Sequence, residues 1–143
     1  MSTTAANAAI WLTEQDYNRL KQLYADLTRQ SAGPQAGLDT LEEILDLARV
    51  VAPETVAQNV VTMNSRVRFE DARTGEAGIV TVVYPSDADA ACGRISVLSP
   101  VGAALIGLAE GDETELPLPR GQTRRIRIAS VIYQPEAQGD FVS

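Results

Sequence analysis

Along the first third of the chain, apolar residues recur at helical spacing. Leu20, Leu23, Tyr24 and Leu27 fall three and four apart, which places them on one face of a helix. Thr13 stands where an N-cap belongs, and Glu14 and Asp16 suit the positive end of the helix dipole. A helix over 14–30 is expected. The stretch SAGPQAG, 31–37, holds two glycines and a proline and reads as a turn. A second helix is expected from Asp39 or Thr40 until Pro53 ends it, its stripe of Leu38, Leu41, Leu45 and Ala48 facing the first. The pair forms an antiparallel hairpin over 13–52 that projects roughly 20 to 25 Å at ~1.5 Å per residue. Residues 1–12 have no period and are expected to be a loose start, with Trp11 and Leu12 docking on the body. Residues 53–59 form a linker.

From Val60 the period changes to two. Val67 and Phe69 alternate with Arg66 and Arg68, and a turn follows around Thr74 and Gly75. Strands are expected at 78–84, 94–99, 113–118 and 124–133, with a single helical stretch at 100–108. Antiparallel strands and one helix covering a sheet face make 60–143 an α+β domain.

The stretch SPVGAALIGLAEGDE, 99–113, carries the densest signals. Gly102 and Gly107 have the spacing of a phosphate-binding loop, but Leu108 and Ala109 stand where that loop needs Lys and Ser or Thr. Nucleotide binding is rejected here. Pro100 suits a first helical turn, and Leu105, Ile106 and Leu108 supply a core face. Ser99 and Pro100 open the loop at a strand end, a place where binding residues concentrate.

Composition narrows the chemistry. The 143 residues are 45% apolar, enough for a core. The net charge of −7 opposes direct binding to nucleic acid. Arg66 with Arg68, and Arg120, Arg124, Arg125 and Arg127, read as solvated sheet faces. No apolar run approaches membrane-spanning length and no signal-peptide pattern opens the chain, so a cytoplasmic protein is expected. Cys92 is the single cysteine, which excludes an intramolecular disulfide. There is no histidine, which removes Ser-His-Asp hydrolysis and imidazole metal sites. Paired carboxylates remain, and Asp39, Glu42 and Glu43 have the spacing for attention. Asp39 and Glu42 also have the spacing of a capping box, the reading preferred for them.

The motifs NVVTMNSRVRF (59–69), VYPSDAD (83–89), RISVLSPVGAALIGL (94–108) and YQPEAQGDF (133–141) resemble the Gre-type transcription factors, and in particular their shorter branch, the Rnk-type regulators, named for an effect on nucleoside diphosphate kinase. The resemblance spans roughly 13–141. It implies an FKBP-like C-terminal domain that docks on RNA polymerase at the rim of the secondary channel, with Ser99, Pro100 and, by adjacency, Val101 at the contact. It also implies a coiled coil pointing into the channel. Longer members carry an acidic pair at the coiled-coil tip that helps hold magnesium for transcript cleavage. Asp39, Glu42 and Glu43 are the matching candidates, but shorter arms leave them out of reach. The expectation is a regulator without catalytic residues, metal site or cofactor of its own, which competes with longer channel-binding factors. Two alternatives stay open: a cleavage stimulator acting through Asp39, Glu42 and Glu43, and a direct partner of nucleoside diphosphate kinase. An FKBP-like fold does not by itself bring prolyl isomerase activity.

Overall fold

The computed structural model describes residues 9–30, 37–117 and 121–139. Strand β1 (Ile10–Thr13) leads into helix α1 (Glu14–Gln30), and helix α2 (Leu38–Leu47) leads into β2 (Ala48–Val51). The second half contains β3 (Arg66–Asp71), β4 (Ala77–Val83), β5 (Arg94–Ser96), α3 (Pro100–Leu105), β6 (Glu113–Pro117) and β7 (Thr123–Tyr133). Helix α1 has the expected bounds, and Thr13 caps it by accepting the Asp16 N–H at 3.1 Å.

Two expectations for the N-terminal part are corrected. Residues 10–12 are not loose: β1 pairs in parallel with β2, Ile10 opposite Ala48 and Thr13 opposite Val51. The second helix stops at Leu47 instead of running to Pro53. The β-branched Val50 and Val51 gain a ladder with β1 that a further helical turn would forfeit. The Arg49 guanidinium lies 5.6 Å from the centre of the Trp11 ring, beside that ladder. Residues 31–36 of the turn expected at 31–37, Arg120 and the first eight residues lie outside the described residues.

The main sheet runs β5-β4-β3-β7-β6. It is α+β as expected but mixed, because β4 and β5 are parallel while the other neighbours are antiparallel. Residues 84–93 carry the chain back to make that parallel pairing. Val67, Phe69, Val82, Ile126 and Ile128 form the inner sheet face, which Leu105 of α3 and the following Ile106 and Leu108 cover. Leu12, Leu20, Leu41 and Ile44 of the N-terminal elements belong to the same cluster, so hairpin and sheet share one core.

The two parts are joined by backbone. The Trp11 N–H donates to the Gly107 carbonyl at 2.9 Å, the Gly107 N–H donates to the Val61 carbonyl, and the Val61 N–H donates to the Leu108 carbonyl. Gly107 has φ +82, and a Cβ there would stand 2.4 Å from the Ile10 side chain. Only glycine lets β1 approach this closely.

Candidate functional site

Ser99 and Pro100 begin α3 at the end of the edge strand β5. The Ser99 hydroxyl accepts the Gly102 N–H at 3.1 Å and donates to the Ser96 carbonyl at 2.6 Å. It is an N-cap, and Pro100 occupies the first turn, where its missing N–H costs nothing. Helix formation therefore accounts for the Ser-Pro pair more fully than the sequence reading allowed. It does not bury the proline: Ser99 and Val101 are half-buried, whereas Pro100 is exposed. Gly102 packs α3 onto β5, since a Cβ there would fall 2.2 Å from the Ser96 carbonyl oxygen. The glycines that resembled a phosphate-binding loop serve close backbone approach.

Helix α2 carries the second set of expected residues and brings one of them, Glu43, to the same place. Gly37 precedes it with φ +87, and a Cβ there would stand 2.6 Å from the Leu98 carbonyl oxygen. The start of α2 is thereby held beside the Ser99-Pro100 loop. Pro100, Leu98, Ala104, Ile44, Leu47 and Glu43 are among the residues lining a groove of about 380 Å³ between α2 and the C-terminal half. Leu47 is 62% exposed there. The expected projection of the hairpin is corrected accordingly: α2 lies along the body.

Asp39 and Glu42 do not form the expected capping box. Gly37 is the N-cap and no side chain bonds there, because its left-handed backbone takes the position the box requires. Glu42 instead lies near the Tyr24 hydroxyl. Desolvation, with Glu42, Asp39 and Asp46 nearby, raises the Tyr24 pKa above its usual value. Among the described residues no three metal-ligating side chains come together. The structure gathers Glu43 with Pro100 in one groove and leaves Asp39 and Glu42 on the side facing Tyr24.

A buried polar cluster at the root of the hairpin was not read from the sequence. Asp16, 2% exposed, accepts the Met63 N–H at 3.0 Å on one oxygen, and the Tyr84 hydroxyl donates to the other at 3.4 Å. Burial pushes its carboxyl up to about 6, against the Met63 hydrogen bond, which pulls it down. Burial and the Asp16 charge likewise push the Tyr84 hydroxyl up. Beside them the Thr62 hydroxyl donates to Glu136 at 2.7 Å, and the Thr62 N–H donates to the Ser65 hydroxyl. Gln134 donates to the Ala57 and Val60 carbonyls, both at 2.8 Å, tying the linker to the end of β7. The only signal for Asp16 was an acid in a first helical turn, which dipole alone explained.

The arginines of β7 are engaged by carboxylates. Arg124 meets Asp71 and Arg127 meets Glu70, each at 2.7 Å, and Arg125 meets Glu113 and Glu115 at 3.2 and 3.3 Å. Arg125 and Arg127 share the outer face. Arg124 lies opposite buried Leu116 and so takes the other. Cys92 is exposed, its thiol donating to Asp89 at 3.3 Å.

A helical hairpin sharing a core with a mixed five-stranded sheet, closed by a short glycine-cradled helix, is an architecture this chain shares with a solved transcription elongation factor. The structure of the GreA/GreB factor from Nitrosomonas europaea superposes with a TM-score of 0.69 and 44% identity, covering 87% of this chain and 98% of that one. Residues 56–133 match the family described as transcription elongation factor GreA/GreB, C-terminal. The chain belongs to the GreA/GreB family. It is 42% identical over 104 residues to the regulator of nucleoside diphosphate kinase of Escherichia coli K12, covering 73% of this chain and 76% of that protein. Against the elongation factor GreA of Desulfovibrio desulfuricans it is 38% identical over 98 residues, 68% of this chain and 60% of the factor.

Proposed function

We propose that this protein is a non-enzymatic regulator of transcription that binds RNA polymerase at the rim of its secondary channel, through Ser99, Pro100 and Val101, and competes there with longer channel-binding factors. Pro100 carries the reading. Its ring is exposed although Ser99 before it is committed to the helix cap and Gly102 after it to close packing on β5. A rigid apolar ring held in the first turn of a capped helix presents contact area with little entropy left to lose.

The carboxylates argue against cleavage stimulation. Helix α2 has ten residues, about 15 Å of reach, and its Glu43 lines the groove beside Pro100. A metal-holding carboxylate must arrive within coordination distance of the ion. The test is a stalled elongation complex supplied with magnesium. We expect no shortening of the RNA on adding this protein, and reduced cleavage when it is added together with a GreA factor. Shortening by this protein alone would overturn the reading in favour of Asp39, Glu42 and Glu43.

A direct complex with nucleoside diphosphate kinase is the second reading, favoured by the name of the Escherichia coli relative. Co-sedimentation of the two purified proteins would support it.

A further inference from the structure

The outer face of the sheet carries a row of side chains that only strand register brings together. Thr81 of β4 lies opposite Arg66 of β3 and opposite Arg94 of β5, and Arg66 lies opposite Tyr133 of β7. Opposed residues share a face, so Arg94, Thr81, Arg66 and Tyr133 cross four strands in line. With neighbouring strands about 4.8 Å apart, the two arginine backbones stand on the order of 10 Å apart with a hydroxyl between them. The adjacent row adds Ile79 and Arg68.

Ion pairing separates this row from the other arginines of the sheet. Arg124, Arg125 and Arg127 each meet a carboxylate, and Arg68 lies 3.5 Å from Glu70. Among the described residues no carboxylate comes within 4.0 Å of Arg66 or Arg94, and both are exposed. They flank a shallow opening of about 250 Å³ that Ile79, Thr81 and Cys92 also line. Ile79, Ile132 and Tyr133 are 47%, 50% and 43% exposed. Two cations outside ion-pair distance of any described carboxylate thus stand beside exposed apolar groups in a chain of net charge −7, although Asp87 and Asp89 lie close by.

Arginine and tyrosine around an aliphatic centre is the composition of a protein-binding hot spot. A polynucleotide fits less well. The same face continues into Glu70, Glu113 and Glu115, each paired with an arginine, so among the described residues no further unpaired cations extend the row for a phosphate backbone to follow across the sheet.

We propose that Arg66 and Arg94, with Thr81, Ile79 and Tyr133, form a second contact for RNA polymerase that receives an acidic segment of its surface with an apolar centre. The inference rests on the polymerase-binding reading above. It is compatible in reach: Arg94 opens β5 and Ser99 follows five residues on, at most about 18 Å away along the chain, so one partner surface can cover both.

The test is equilibrium binding to purified core RNA polymerase at two salt concentrations, comparing wild type, the double variant Arg66→Ala/Arg94→Ala and the control Arg125→Ala, with thermal unfolding of each. At low salt the double variant is expected to bind about tenfold more weakly while unfolding normally, with the gap narrowing at high salt; Arg125→Ala is expected within about twofold of wild type. Wild-type binding matched by the double variant overturns this inference and leaves the polymerase reading standing. No wild-type binding overturns both. A parallel arm with a single-stranded oligouridine RNA separates the other ligand class: RNA binding lost in the double variant, with polymerase binding unchanged, assigns the row to nucleic acid and overturns the acidic-segment proposal.

Discussion

The Met63 backbone N–H reaches across 3.0 Å to the Asp16 carboxylate, fastening the first turn of α1 to the segment that enters β3. The acid is buried and its carboxyl is pushed up to about 6, burial being the main cause. Because the folded state holds its proton more tightly than the unfolded chain, this group favours folding most below about pH 4. That contribution is lost as pH rises to about 6.

Asp16→Asn removes the titration while keeping an acceptor for Met63. The stability difference between wild type and this variant is expected to change by about 1 to 3 kcal/mol between pH 4 and pH 7, with wild type relatively better at the acidic end. Urea unfolding across that range checks it. A difference independent of pH would contradict the assignment.

Ser99→Ala removes the α3 cap and is expected to cost about 1 kcal/mol. Chemical denaturation measures this without reference to any partner.

Gly102→Ala places a methyl group against the Ser96 carbonyl oxygen, a 2.2 Å approach to backbone that cannot swing away. A loss on the order of 3 kcal/mol is expected. Gly75 supplies the comparison: its φ is +79 but nothing lies near its Cβ position, so Gly75→Ala is expected to cost about 1 kcal/mol from backbone strain alone. Equal losses at the two positions would show that crowding on Ser96 is relieved cheaply.

Gln134→Glu replaces a donor to two carbonyls with an acceptor facing both. It is expected to destabilise by more than the ~1 to 2 kcal/mol of Gln134→Ala, which deletes the bonds without introducing repulsion. Thermal unfolding of the pair decides the order.

The periodic segments were legible because their signal is local. Leu20, Leu23 and Leu27 define α1 whatever they pack against, and Val67 and Phe69 define β3 in the same way. Ile10–Thr13 and Ala48–Val51 are four-residue strands that exist only because each completes the other, and a four-residue window shows no period. The parallel pairing of β5 likewise depends on how 84–93 cross back. Asp16 read as a dipole residue because its burial is made by Met63 and Tyr84, far along the chain. Of the residues expected to dock, Pro100 is exposed and Ser99 and Val101 are half-buried at the start of α3, and the cap has a local signature: a serine before a proline, three residues ahead of the Gly102 N–H that it accepts, is a helix start. The meeting of Arg66 and Arg94 over Thr81 needs strand register, which side-chain alternation does not supply.

The most direct test of the polymerase-binding account is Pro100→Glu, measured both for thermal unfolding and for affinity to purified core RNA polymerase. Pro100 is exposed in the first turn of α3 and is not one of the buried core residues, so the expected result is a nearly unchanged melting temperature with binding weakened by about tenfold or more, a loss of at least ~1.4 kcal/mol at the contact. Undiminished binding by a folded Pro100→Glu protein, or no binding by wild type at micromolar concentration, would contradict it.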